Sequence, residues 1–349
     1  MIPYLIFIIT ILIAFHFKAH KVMFFIMTLF AALRLDVGWD YASYIDICTD
    51  STRLENAQEA YSYVWYLLFN FAYNNAIPEF PIILCAVITQ LCIYKAFKIF
   101  LNNDNLRVSE ALLVYICWPF FYLSTFSIIR QSLAISIVLL AFAFLSQQQK
   151  TKAIALWAAA VYLHPSAFFS FPVAIILAMK ERLTLKSIII CISASTILLL
   201  NIKDSLLLLN TPLEHYAHYL EDTDSFGSVL VFLMGIVSVY IAISYFAEKN
   251  ISSLSSKLSS IVFVSTIMET ILLATSYSTV LTRVMLYFSS LLCIIFFDNL
   301  RNITRSKVAY ASIVILFCTL FISYLIITYN PLVYSSSTFI PYKSLIFNK

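Results

Sequence analysis

Apolar residues in this chain arrive in long unbroken runs, at 2–17, 22–33, 80–97, 110–126, 128–146, 151–163, 166–179, 187–202, 228–247, 258–275, 280–298 and 308–328. Runs of this length with few charges predict membrane-spanning helices. A transmembrane barrel would instead show alternating segments of about ten residues, which do not occur here. A straight span needs about 20 residues and several runs are shorter, so tilted or broken helices are expected. Segment 61–77 is apolar but rich in Tyr and Asn, and its pattern fits crossing, dipping in or lying along the interface. The fold class read from this pattern is all-α: a polytopic integral membrane helical bundle of about 12 spans with short or broken helices.

Lysine and arginine orient the spans. With the N-terminus outside and 61–77 not crossing, the cytoplasmic loops carry Lys18, Lys21, Lys95, Lys98, Arg107, Lys150, Lys152, Lys180, Arg182, Lys186, Lys249, Lys257, Arg301, Arg305 and Lys307, which is 15 of the 22 basic residues. If 61–77 crosses, every later loop inverts and the bias largely disappears. The same arrangement puts 13 of the 18 acidic residues on or near the outer side. The long polar loops 34–60 and 203–227 lie there too, with the tail 329–349. Neither face has room for a soluble domain, so residues 1–349 read as a single membrane domain. The first run lacks a basic start and a small-residue cleavage site, and reads as a span, not a cleaved signal.

Composition narrows the chemistry. The chain is 62% hydrophobic and 11% charged, and its net charge of +4 points to no nucleic-acid partner. Seven cysteines are scattered at 48, 85, 92, 117, 191, 293 and 318, without the spacing of a disulfide framework or a CxxC metal site. Glycine occurs only at 38, 227 and 235, so no glycine-rich phosphate loop is available and any bound phosphate must be held by side chains.

Subtracting the cytoplasmic set leaves Arg34, Arg53, Arg130, Lys203, Arg283, Lys343 and Lys349. Arg34 opens the first loop, Arg130 sits near the outer end of an apolar helix, and Arg283 at the outer start of another. An arginine within the bilayer costs roughly 2.5–3.5 kcal/mol at the centre and less near the edge, so each needs a partner. The structural reading is snorkelling or pairing with Asp36, Asp40 or Glu269. The functional reading is an anion site, because the planar guanidinium fork suits phosphate oxygens. His164, in Leu163-His164-Pro165-Ser166, belongs at the outer turn of a helical hairpin. There it either bonds to the backbone or Ser166, or joins the arginines to bind phosphate or move a proton. Asp36 and Asp40 would share a face if helical, although Gly38 fits a loop equally well. They either counter Arg34, or one acts as general base on a sugar hydroxyl. Glu269, inside an apolar helix, is a further acidic candidate whose structural role would be pairing with Arg283. Asp222-Thr223-Asp224 matches a metal–nucleotide DxD pattern but falls outside, and reads as a solvated loop. His215 and His218 have no third ligand, so no metal is expected, and 214–220 reads as an amphipathic interfacial helix.

Taken in order, Arg34-x-x-x-Gly38-x-Asp40-Tyr41-x-x-Tyr44, Arg130-Gln131, Leu163-His164-Pro165-Ser166-Ala167, Tyr216-x-x-Tyr219, Arg283 and Pro341-Tyr342-Lys343 resemble the EpsG-type branch of the bacterial O-antigen and exopolysaccharide polymerases (Wzy). The resemblance runs from about residue 30 to the end. It implies a GT-C-like fold and a metal-independent glycosyltransferase of lipopolysaccharide or exopolysaccharide biosynthesis in the bacterial inner membrane, with its site facing the periplasm or exterior. The glycan on undecaprenyl pyrophosphate would pass en bloc to an incoming lipid-linked repeat unit. No cofactor is implied; the partners are the lipid-linked oligosaccharides, the bilayer and a candidate chain-length regulator. Carried over, Arg34, Arg130 and Arg283 bind pyrophosphate, His164 supports that site, and Asp40 or Asp36 engages the acceptor hydroxyl. Tyr41, Tyr44, Tyr216 and Tyr219 stack on sugars. Three alternatives stay open: a flippase for the same lipid-linked oligosaccharide, an O-antigen ligase, and a glycan O-acyltransferase. No internal repeat favours the flippase, and the one-sided charges disfavour the acyltransferase.

Overall fold

The computed structural model describes residues 1–178, 235–243, 254–274, 279–328 and 339–346. In chain order the elements are α1 (Ile2–His16), α2 (His20–Ala32), β1 (Arg34–Leu35), α3 (Tyr41–Ile47), α4 (Ser51–Ala60), α5 (Tyr63–Asn74), α6 (Phe80–Phe100), α7 (Asn105–Cys117), α8 (Ser124–Ser127), α9 (Ile129–Ser146), α10 (Lys150–Leu163), α11 (Phe171–Ala178), α12 (Leu254–Ala274), α13 (Thr279–Ser289), α14 (Leu292–Ile303), α15 (Lys307–Ile327) and β2 (Lys343–Ser344). The sequence reads as one domain; the chain divides into two compact units, Met1–Phe168 with Ser306–Lys349, and Phe169–Arg305.

The all-α class holds, while the expected dozen spans are matched only in part. Among the described residues α6, α9 and most of α15 are long and apolar enough to cross a bilayer, and α13 with α14 make a fourth span if their 48° bend lies inside one. Two apolar runs break where hydropathy is blind. Run 110–126 ends as helix at Cys117, because Pro119 forces Trp118 into an extended conformation (ψ 125°). Run 280–298 bends at the buried pair Ser289-Ser290.

Helix α9 is the axis of the first unit, with 83% of its spanning window buried, packed between α6 and α10. Its buried Ser132, Ala134, Ser136, Ala141 and Ala143 let neighbouring backbones approach closely. In lipid, where apolar burial gains nothing over the solvent, such close packing is what holds helices together.

Two polar clusters mark the ends of this unit. At one end His20, opening α2, bonds through Nε2 to Asn105 Oδ1 (2.9 Å) at the start of α7, and through Nδ1 to the Tyr94 hydroxyl (2.8 Å) late in α6. Lys21, Lys98 and Arg107 flank these three residues in the chain. At the other end Arg34 follows α2, the Tyr122 hydroxyl donates to the Met27 carbonyl (2.7 Å), and Cys85, early in α6, lies within electrostatic range of Arg34. Since α2 leaves and α6 begins at the same end, α3, α4 and α5 remain there. Helix α5, with 12 residues, is about 18 Å long, too short for a hydrocarbon core of about 30 Å. Segment 61–77 is thus a helix that stays at the Arg34 end.

The C-terminal residues close this end. β2 pairs antiparallel with β1, Arg34 opposite Ser344 and Leu35 opposite Lys343, and Leu345 N–H donates to the Leu33 carbonyl (2.9 Å). Tyr342 stacks on Phe30 at 4.0 Å and 16° and donates to the Phe30 carbonyl (2.7 Å). The Tyr4 hydroxyl donates to the Phe339 carbonyl (2.7 Å). Replacing Tyr342 with Ala removes the stack and the hydrogen bond, for a loss of about 2 kcal/mol. Detergent-solubilised protein should then melt earlier and be cut faster by protease beyond α15, with helical content unchanged.

Candidate functional site

The first loop is built on a buried guanidinium. Arg34 is 1% exposed. Of the alternatives the sequence left open, pairing with Asp36 or Asp40 is not the one found: its partners among the described residues are main-chain carbonyls and an aromatic face. Nε donates to the Val37 carbonyl (3.3 Å), Nη1 donates to the Ala31 carbonyl, and Cζ lies 4.8 Å from the Phe126 ring centroid. Nη2 has no hydrogen-bond partner among the described residues. Burial pushes the group down to about 10, against the field of Tyr41, Tyr122 and Tyr342, so it stays protonated at neutral pH. Asp36 instead binds Lys343 Nζ at 2.9 Å, which ties the first loop to the C-terminal strand.

Residues 36–40 are not helical. Asp36 has φ 54° and Gly38 φ 106°, so the two aspartates do not share a helix face. A Cβ at Gly38 would stand 2.0 Å from the Phe126 carbonyl oxygen; only glycine lets the loop lie against α8. Beside this contact, Trp39 N–H donates to Ser127 Oγ (3.2 Å). The loop then turns into α3 at Asp40.

Tyr41 and Tyr44, three residues apart, share one face of α3 and serve two arginines. Tyr41 lies in the field of Arg34. Tyr44 accepts from Arg130 Nε at 3.0 Å, and the Arg130 guanidinium lies 4.0 Å from the Tyr61 ring centroid. Stacking of this kind fixes the plane of the fork while keeping its charge. Burial first, then the nearby Asp40 charge, raise the Tyr44 hydroxyl well above its ordinary range, with Arg130 opposing; it remains a neutral phenol. Tyr41 and Tyr44 are 3% and 4% exposed: both expected sugar-stacking rings are buried in this structure, and the Tyr44 hydroxyl is taken up by Arg130. The exposed aromatic of this loop is Trp39, at 57%, next to Asp40. Tyr61 and Trp39 were missed in the sequence. The tyrosine-rich start of 61–77 and the Gly38-Trp39-Asp40 run were the available signals.

His164 ends α10 in an extended conformation. Its Nδ1 faces Ser166 Oγ at 2.7 Å and accepts from Ser166 N–H at 3.4 Å, which places the proton of a neutral ring on Nε2. Trp65 Nε1 donates to the Leu163 carbonyl (3.0 Å), seating α5 on this turn. From Trp65 the aromatics run on through Phe69 (6.0 Å) to Tyr44 (5.5 Å) and Tyr61 (5.8 Å). Arg34, Asp36, Asp40, Tyr41, Tyr44, Arg130 and His164 therefore lie at one end of the first unit. Arg283 is on α13 of the second unit and exposed, while Glu269 on α12 is buried and its Oε2 has no hydrogen-bond partner among the described residues. Tyr216, Tyr219, His215, His218, Asp222 and Asp224 lie outside the described residues. Among those described, no three His, Cys, Asp or Glu come together as a metal site requires.

Short helices around a small-residue axis, with arginines and tyrosines at the end opposite the Lys21–Lys98–Arg107 cluster, define a polytopic helical membrane protein. The chain belongs to the EpsG family, whose sequence profile matches residues 18–344, nearly its whole length. No curated protein and no solved structure matches it.

Gly38→Ala tests the loop geometry. The steric clash and the positive φ together cost more than about 1 kcal/mol. The expected outcome is a lower melting temperature and faster proteolysis within 34–60, and an unchanged variant would remove the close contact with α8.

Proposed function

We propose that this chain is a polysaccharide polymerase of the O-antigen and exopolysaccharide kind. It transfers glycan from undecaprenyl pyrophosphate onto an incoming lipid-linked repeat unit at the outer face of the inner membrane. Membership of the EpsG family supports the polymerase class. The observation that carries the chemistry is Arg130, its fork fixed on the Tyr61 face and by the Tyr44 hydroxyl, at the end of the bundle away from the lysine-rich loops.

In this reading Arg130 binds the donor pyrophosphate and stabilises the charge that develops as the anomeric carbon–oxygen bond breaks. Asp40 takes the proton from the acceptor hydroxyl as that oxygen bonds to the anomeric carbon, and pyrophosphate leaves on the lipid. Asp40 is the carboxylate of this loop that stands next to the exposed Trp39 and opens α3, whereas Asp36 is paired with Lys343 in the tie to the C-terminal strand. Arg34, sealed in the bundle, positions α3 and lends long-range positive potential without touching substrate. His164 supports the site through its Ser166-fixed ring. Trp39, exposed beside Asp40, offers the stacking surface for a sugar ring.

The test is deletion of the gene in its source organism, with surface polysaccharide resolved by size. The expected outcome is glycan capped with a single repeat unit and no ladder, restored by the intact gene. Loss of every repeat unit would point to a flippase or ligase, and an unchanged ladder would sink the polymerase reading. On complementation, Arg130→Ala should lower polymer by about 10²–10³-fold, the usual effect of removing a transition-state donor. Arg130→Lys keeps the charge but loses the fork and should fall between. Asp40→Asn should leave membrane-inserted protein without polymer.

A further inference from the structure

Below the Arg130 cluster the first unit carries an apolar cleft between α5, α6 and α9, with a volume of about 590 Å³. Its walls include Trp65, Leu68 and Phe71 from α5, Leu84 from α6, Leu133 from α9 and Leu163 from the end of α10. We propose that this cleft holds the proximal isoprene units of a polyprenyl diphosphate, with the diphosphate at Arg130; the inference rests on the polymerase reading above and assigns a place to its lipid.

Three observations carry it. Leu133, on the cleft wall, is three residues beyond Arg130, under one helical turn along α9. Leu163 lies on the cleft wall, and His164 is the next residue in the chain. Trp65 is shared: its ring lines the cleft, its Nε1 bonds the Leu163 carbonyl, and it packs on Phe69, which touches Tyr44 and Tyr61. A lipid whose anionic head meets Arg130 therefore has its chain directed into this space.

The physical setting selects the occupant. An apolar cleft in a bilayer gains nothing from hydrophobic transfer, because the alternative is hydrocarbon too, so occupancy is decided by fit and by the head group. The volume lies in the range of small-molecule pockets, roughly 300–1,000 Å³, which suits the first isoprene units and leaves the rest of a long chain in the bilayer. Flat, methyl-branched alkene units match walls of Trp65, Phe71 and Phe80 through offset packing. A stacked guanidinium favours the doubly charged diphosphate over a single phosphodiester.

The test uses the full wild-type chain in nanodiscs with a polyprenyl diphosphate carrying a diazirine near its head. After irradiation and digestion, adducts are expected on peptides containing 64–71, 84–88 and 133–137. They should be lost with excess unlabelled polyprenyl diphosphate and retained with the same excess of phosphatidylglycerol. Arg130→Gln, which leaves the cleft intact, should lower labelling about tenfold or more, the weight of a charge-assisted contact. Leu133→Trp and, from the opposite wall, Leu84→Trp should each abolish cleft labelling. Adducts outside the cleft, or cleft adducts displaced equally by phosphatidylglycerol, overturn the proposal; the second result would mean ordinary bilayer lipid. A chain that builds polymer but labels elsewhere loses the cleft and keeps the polymerase reading. Cleft adducts in a chain whose deletion leaves the ladder unchanged keep the cleft and remove that reading.

Discussion

The buried guanidinium of Arg34 organises one end of the first unit. A charge withdrawn from water costs several kcal/mol unless its donors are met; here Nε and Nη1 are met by carbonyls of the same chain and the guanidinium lies on the Phe126 face, while Nη2 has no partner among the described residues. Those contacts draw α8 under the first loop, and the glycine at 38 is what lets the two backbones touch. β1, which carries Arg34, is also the strand on which β2 pairs, so one residue joins the loop, the α7–α9 connection and the C-terminus. Asp36, released from countering Arg34, adds the ion pair to Lys343 that ties the loop and the C-terminal strand together.

The second arginine follows from the first. Once the loop is seated, α3 starts at Asp40 and its Tyr41–Tyr44 face spans from the Arg34 field to the Arg130 fork. Tyrosine suits this position: its ring packs in the core while its hydroxyl meets a cation. Arg130 is thereby held by two aromatics from segments far apart in sequence, Tyr44 and Tyr61. A fork held in a fixed plane loses little freedom on binding an anion, and the pyrophosphate role proposed for Arg130 draws on that.

Lipid as solvent explains the rest of the architecture. With no hydrophobic drive between spans, the helices rely on the small residues of α9 and on polar links such as Tyr94–His20–Asn105 and Tyr310–Glu110. Helix α15 shows the opposite balance, with only 17% of its spanning window buried; its apolar surface matches hydrocarbon and needs no cover. The cleft between α5, α6 and α9 follows the same rule, apolar because its surroundings are apolar.

The amino-acid order alone determined the all-α membrane class, the family resemblance, and the separation of Arg34 and Arg130 from the lysine-rich loops. Those properties depend on local composition and on the cost of moving charge across lipid, which each segment carries by itself. It also marked His164 as a turn residue beside Ser166. It did not reveal where helices break: Pro119 and Ser289-Ser290 interrupt runs that hydropathy reads as continuous. Nor did it reveal that Asp36 would choose Lys343 over Arg34, that Tyr41 and Tyr44 would face inward, or that Tyr61 would carry Arg130. Such choices are made between residues tens to hundreds of positions apart, and they depend on which groups remain unsatisfied once the helices have packed. The tertiary structure decided them because the interior leaves a buried cation few places to find its partners.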